Sequence, residues 1–208
     1  MSDAKIFLLR HGEIDTSYVG RFVGQTDLAL SVAGEFQARL WERELSAVPL
    51  KKIYCSDLMR SKDTAGIISG SRKLDIQISP QLREINLGEW EGLQIGYVKI
   101  HFAEEWRMRG MDMEKYRPPG GESFSDLASR VLPVFNGIVN NAKGNVLVIG
   151  HAGVNRIILC HLLGMPFANL LTICQDYGRM NIIEVKDGSL RLKAMNILPA
   201  EGNLSSFS

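Results

Sequence analysis

Cysteine is scarce in this chain of 208 residues, formal charge is almost balanced, and long apolar runs are missing. The three cysteines, Cys55, Cys160 and Cys174, are odd in number, widely spaced and set in apolar stretches. That usage excludes a disulfide scaffold and reads as buried thiols in a reducing compartment. A net charge of +1 with acids and bases interspersed gives no electrostatic footprint for nucleic acid or an anionic membrane. Any anion must then be held by a local site. No uninterrupted apolar run approaches the ~20 residues of a membrane span. Met1-Ser2-Asp3-Ala4-Lys5 lacks the basic region and apolar core of a signal peptide. A cytoplasmic protein with no membrane or nucleic-acid partner is expected. Repeats, low-complexity tracts and linkers are also absent, so one domain over 1–208 is the default.

What the chain does have is a composition that is 45% hydrophobic and 23% charged, enough to bury a core without a structural metal. Short β-branched runs at Lys5 to Leu9, Lys52 to Cys55 and Asn145 to Ile149 suit strands buried on both faces of a parallel sheet. Between them the spacing predicts helices. Ser31 caps one carrying Val32, Phe36 and Leu40 on a face expected to pack. Arg60 to Ser69 is a second, and Ser123 with Asp126 resembles a capping box for a third, striped by Phe124, Leu127, Ala128, Val131, Phe135 and Ile138. Pro133 inside that stripe is expected to kink or restart the helix. Val154, Ile157, Ile158 and Leu162 stripe a fourth, ending at Gly164 and Pro166. Residues 179 to 197 alternate like a hairpin turning at Asp187-Gly188. The order predicts an α/β fold with three layers, α/β/α, and a mainly parallel sheet. Residues 93 to 117 read as an inserted helical segment placed as a cap, and 200 to 208 as a loose tail.

Ligands of parallel α/β sheets bind outside the carboxyl ends of the strands. Arg10, His11, Gly12 and Glu13 follow the first strand, Ser56 and Arg60 the second, and Gly150, His151, Ala152 and Gly153 the NVLVI strand. Two arginines and two histidines converging on one edge describe a site for a phosphoryl group, because a guanidinium offers a charged fork of donors that matches phosphate oxygens. A histidine there can serve as nucleophile, general base, phosphate ligand or metal ligand. The metal role needs more soft or acidic ligands than these positions supply, and the arginines would repel a cation. No metal and no cofactor are expected. A neutral imidazole can attack phosphorus, dividing the reaction through a phosphohistidine, while a nearby carboxylic acid protonates the leaving alkoxide. Glu84, Glu89 and Glu91 compete for that part, and spacing does not choose among them. Gly12 is expected to let phosphate approach the backbone, and Glu13 to orient His11 or Arg10. His161 falls on a packing face and reads as structural, His101 as a surface residue and Trp90 as core.

Leu9-Arg10-His11-Gly12-Glu13 resembles the signature of the histidine phosphatase superfamily, also called phosphoglycerate mutase-like. Four more blocks follow in the family's order: Gly20 to Asp27 with Leu30-Ser31 and Gly34, Ser56 to Arg60 with Thr64-Ala65, Leu82 to Gly92, and Gly150 to Val154. The resemblance implies that His11 is the phosphorylated nucleophile, that His151 binds the phosphoryl group, and that Arg10 and Arg60 clamp its oxygens. It implies that Glu84 gives and takes the proton, its acid form favoured by burial. The family often has asparagine where Ser17 stands and, in some members, threonine where Val23 stands. Ser17 is thus carried as a shorter phosphate contact. Arg21, Gly24, Glu122 and Ser123 border the expected crevice as candidate substrate contacts.

These expectations lead to a metal-independent phosphomonoesterase acting on a small phosphate ester. The chain is shorter than cofactor-dependent mutases of the family, and Glu84 is followed by Ile85-Asn86-Leu87-Gly88-Glu89-Trp90 rather than an Arg-His-Tyr-Gly-like run. A mutase therefore ranks below a phosphatase, and a non-catalytic phospholigand-binding module ranks last. The Phe22 to Asp27 block, Leu163-Gly164-Met165-Pro166 and Gln175-Asp176-Tyr177-Gly178 resemble the α-ribazole phosphatase branch of cobalamin synthesis, although none is expected to touch phosphate. A broad-specificity or sugar phosphatase is the alternative. A homodimer is the common outcome for soluble enzymes.

Overall fold

A computed structural model describes residues 4–199. The expected tail at 200 to 208 lies outside them. Strands β1 (Ala4–Arg10), β2 (Leu50–Cys55), β3 (Ile76–Ile78), β4 (Asn145–Gly150), β5 (Met180–Lys186) and β6 (Ser189–Ile197) form one sheet in the order β3-β2-β4-β1-β5-β6. The first four are parallel, and β5 and β6 run antiparallel at one side. At the hairpin, Asp187 and Gly188 both take positive φ, 50° and 76°, as a two-residue turn between twisted strands requires.

The helices are α1 (Val32–Glu44), α2 (Met59–Ser69), α3 (Ile95–His101), α4 (Ala103–Met111), α5 (Phe124–Asn141) and α6 (Ala152–Leu163). Because strand side chains alternate, Ile6 and Leu8 face α5 and α6 while Phe7 and Leu9 face α1 and α2. That is why β1 reads as an unbroken apolar run, and it makes the sheet the middle of three layers. The capping box of Ser123 and Asp126 is present, and the α5 stripe is buried as its spacing predicts. The helix continues through Pro133 without restarting.

Three expectations are corrected. On α1, Val32 and Phe36 are 88% and 61% exposed, and the buried face is instead Gly34, Ala38 and Trp41. Beside Trp41, this helix approaches the sheet through Gly34 and Ala38, which a search for large apolar side chains passes over. His161 is exposed rather than packed, and Cys174 is exposed while Cys55 and Cys160 are buried. His101 is exposed as expected, stacked on Tyr97, and Trp90 is fully buried.

The close approach of α1 also explains Gly12. A Cβ there would lie 2.4 Å from the Gly34 carbonyl oxygen, and one on Gly34 would lie 2.0 Å from the Glu13 carbonyl oxygen. Packing against helix α1 is thus a reason in itself for glycine at position 12. Gly34→Ala should therefore lower stability by about 2 kcal/mol or more, read as a reduced urea midpoint. An unchanged midpoint would show that this contact does not set the helix position.

Candidate active site

β1 and β4 pair in a register that sets Arg10 opposite Gly150, and the His11 N–H donates to the Gly150 carbonyl at 3.1 Å. His11 and His151 thus leave neighbouring strands side by side, their ring centroids 4.9 Å apart. On the other side of β4, β2 ends at Cys55, which brings Ser56 to His151; the first turn of α2 carries Arg60 to His11.

The hydrogen bonds fix the state of His11. Its Nδ1 lies 2.7 Å from the Gly12 carbonyl, an acceptor only, so Nδ1 carries the hydrogen and Nε2 the lone pair. Arg60 Nε donates to that lone pair at 3.2 Å. Burial, then the Arg60 and Arg10 guanidiniums, hold His11 well below the ordinary histidine value. His151 is also held well below it, by burial and then by His11, Arg60, Arg10 and Arg130. Both imidazoles are uncharged at neutral pH, the form that can act as a nucleophile.

Among the described residues, neither arginine is paired with a carboxylate. Arg60 donates to the Thr26 and Gly24 carbonyls at 2.7 and 2.8 Å. Arg10 donates to the Gln175 carbonyl, and its guanidinium lies 3.6 Å from the centre of the Tyr177 ring. Gln175 is fixed in turn by side-chain bonds with Asn155 and Asn181. Arg10 Nε and His151 Nδ1 are buried with no hydrogen-bond partner among the described residues. An unsatisfied buried polar group costs about 1 to 3 kcal/mol, which an anion accepting from both would remove.

Glu84 enters from the turn after β3. The Gly153 N–H donates to both carboxylate oxygens at 3.1 Å, and the Ile85 N–H to Oε1 at 2.9 Å. A Cβ on Gly153 would come within 2.4 Å of Oε1, so a side chain there would evict the carboxylate. Arg130 on α5 donates to the carbonyls of Gln81, Arg83 and Glu84 and pairs with Glu122 at 2.8 Å, stapling this turn in place. Of the competing acids, Glu89 is exposed, and Glu91 is occupied by the Gln25 and Leu87 N–H groups and the Thr26 hydroxyl.

Arg10, His11, Arg60, Glu84, Arg21 and Gly24 all line one cavity of about 240 Å³. His151 is buried against His11 and is not part of the wall. Ser17 is exposed on a short helical turn and does not line the cavity. Neither do Glu122, which holds Arg130, and Ser123, which caps α5. Glu13 is turned toward Ser31, whose hydroxyl donates to it at 3.1 Å, rather than toward His11 or Arg10. No residue of 93 to 117 lines this cavity; Trp106 of α4 packs on Phe22 and Trp90, and Phe22 is a wall.

Tyr177 and Arg156 line the cavity without having been marked by the sequence. Tyr177 belongs to a block not expected to touch phosphate, and it lies beside Arg10 and His11, its ring centre 5.5 Å from that of His11. Its signal was the antiparallel β5. Such a strand begins at the edge where its parallel neighbours end, and the Arg10 N–H donates to the Arg179 carbonyl there.

Histidines kept neutral by burial destabilise the fold once they must be charged. Folded values below the ordinary ~6.5 mean that the unfolded chain binds more protons as pH falls past that point, so stability is full above it and declines below it. The urea midpoint should fall between about pH 7.5 and about pH 5, and less steeply in a His11→Gln, His151→Gln double variant. Equal slopes would mean that neither ring is held neutral.

The sequence profile of the histidine phosphatase superfamily (branch 1) matches residues 6–198. The adenosylcobalamin/alpha-ribazole phosphatase of Salmonella typhimurium is 28% identical over 92% of this chain and 96% of its own. Phosphoserine phosphatase 1 of Hydrogenobacter thermophilus is 29% identical over 93% and 92%. Among solved structures, the alpha-ribazole phosphatase from Shigella flexneri superimposes with a TM-score of 0.86 at 27% identity, covering 95% of this chain and 98% of that one.

Proposed function

This chain belongs to the histidine phosphatase superfamily and is a phosphatase, and we propose that it works without a metal, through a phosphohistidine on His11. The observation that carries this is the His11 tautomer: a buried, uncharged ring with its Nε2 lone pair beside Arg60 and its Nδ1 tied to a carbonyl. Nε2 attacks phosphorus as the ester P–O bond breaks, and Glu84 gives the leaving oxygen its proton. Water then attacks the phosphohistidine, Glu84 takes a proton from it, and the P–N bond breaks to release phosphate. Arg10, Arg60 and His151 hold the equatorial oxygens, where charge develops in both steps. Two arginines beside the histidines repel a cation, which favours this route over a metal-assisted one.

For the substrate, we infer an uncharged alcohol with an aromatic body, and α-ribazole 5′-phosphate fits that class. Through Ile14, Arg21, Val23 and Tyr177 the cavity shares walls with a second space of about 240 Å³. Tyr18 and Val19 add apolar surface to it, whereas Glu13 and Asp15 place acids there that oppose a carboxylate or second phosphate on the leaving group. A second reading has its own support. Arg21 and Arg156 bring two further guanidiniums to the cavity, which favours a sugar bisphosphate or phosphoglycerate.

Turnover should leave acid-labile, base-stable phosphate on the enzyme and none on His11→Ala; label persisting in the variant removes His11 as nucleophile. Glu84→Gln should lower kcat on a poor leaving group by roughly a hundredfold or more. Across a panel, kcat/KM for α-ribazole 5′-phosphate should exceed that for phosphoserine, 3-phosphoglycerate and fructose bisphosphate. The opposite ranking promotes the second reading.

A further inference from the structure

His151 differs from His11 in one respect. The nitrogen of His11 that is tied down faces a carbonyl, but His151 Nε2 lies 2.8 Å from the Ser56 hydroxyl, which can donate or accept. The neighbours of Ser56 remove the ambiguity. The Leu58 N–H points at Ser56 Oγ at 3.4 Å and occupies part of its acceptor capacity. Ser61, the other nearby hydroxyl, accepts from the Ser56 N–H and donates to the Ile149 carbonyl, so its own hydrogen is spoken for. If Nε2 carried the hydrogen, Ser56 Oγ would receive two donors, and its own O–H would be buried without an acceptor, since Ser56 is fully buried. With the hydrogen on Nδ1, the hydroxyl donates to Nε2 and every group in the chain is matched. The one donor left over is Nδ1–H, and His151 Nδ1 is a buried atom without a partner among the described residues.

We propose that Ser56 is a positioning residue that holds His151 as the Nδ1–H tautomer, so that His151 meets the phosphoryl group as an uncharged hydrogen-bond donor. This rests on the phosphatase reading and deepens it. His151 exchanges no proton during either step; Nδ1–H donates to an equatorial oxygen while Glu84 handles the proton of the leaving group and of water. Four cationic or potentially cationic groups bear on His151, namely His11, Arg60, Arg10 and Arg130. A fixed charge on the ring would be opposed by the three guanidiniums. A neutral donor adds a hydrogen bond to the anion without that repulsion. Ser56 therefore acts through orientation and tautomer, while the arginines supply the charge.

The state can be read directly in the full-length protein by long-range 1H–15N NMR of the histidine rings, with the His151 signals assigned by their loss in His151→Gln. Near neutral pH, Nδ1 should show the shift of a protonated ring nitrogen and Nε2 that of an unprotonated one. Saturating inorganic phosphate should move the Nδ1 proton downfield and leave Nε2 unprotonated. In Ser56→Ala the two tautomers should mix, with kcat falling in proportion to the Nδ1–H fraction, roughly twofold to tenfold. Ser56→Thr, which keeps the hydroxyl, should restore the tautomer. A protonated Nε2 in the wild type, or Ser56→Ala with unchanged tautomer and rate, overturns the assignment. If the wild type hydrolyses phosphate esters with Nε2 protonated, the phosphatase reading stands and the role of Ser56 falls. If the Nδ1–H tautomer is found without turnover, it is the phosphatase reading that falls.

Discussion

The pairing of β1 with β4 is the constraint on which the site depends. Parallel hydrogen bonding advances both strands together, so the registers of Arg10 with Gly150 and of the His11 N–H with the Gly150 carbonyl deliver two histidines to one point. A one-residue slip would turn every side chain of β1 to the opposite face and separate the pair. The apolar run that buries β1 on both sides makes such a slip expensive, because Ile6 and Leu8 belong to one core and Phe7 and Leu9 to the other. The rigidity of the sheet is thereby passed to His11 and His151 before any ligand arrives.

A second feature follows from what surrounds them. Arg10 and Arg60 are held by the carbonyls of Gln175, Thr26 and Gly24 rather than by carboxylates. Carbonyls orient a guanidinium without cancelling its charge, so the positive potential stays available to an anion. The same potential, with burial, keeps both imidazoles uncharged. Glu84, the acid that lines the same cavity, is held by backbone N–H groups and not by a cation. The division suits the mechanism proposed above, in which arginines carry charge, histidines carry lone pairs and hydrogens, and Glu84 is the group for proton transfer.

Much of this was visible in the chain. Strand runs, the capping box of α5 and the Asp187-Gly188 turn are local patterns, each determined within a few residues. The convergence of Arg10, His11, Arg60 and His151 followed from the rule that ligands lie past the ends of parallel strands. The choice of Glu84 over Glu89 and Glu91 did not follow from spacing, since it depends on the Gly153 N–H arriving from α6. Tyr177 was missed because β5 is antiparallel and presents its beginning, not its end, to the site. The packing face of α1 was misread because Gly34 and Ala38 contribute closeness rather than apolar bulk.

By itself, then, the sequence determined the layers of the fold and which charged and imidazole side chains follow the parallel strands, because periodicity, caps and side-chain type are properties of short segments; the roles of those side chains came only as what the family resemblance implies. Tertiary structure decided how each group is held: which carboxyl group lines the cavity with His11, which hydroxyl meets His151, and which glycines are needed for packing. Those outcomes depend on contacts between residues far apart in the chain, such as Ser56 with His151 and Glu84 with Gly153. No local pattern encodes them, since each exists only after the sheet register has brought its two partners within hydrogen-bond distance.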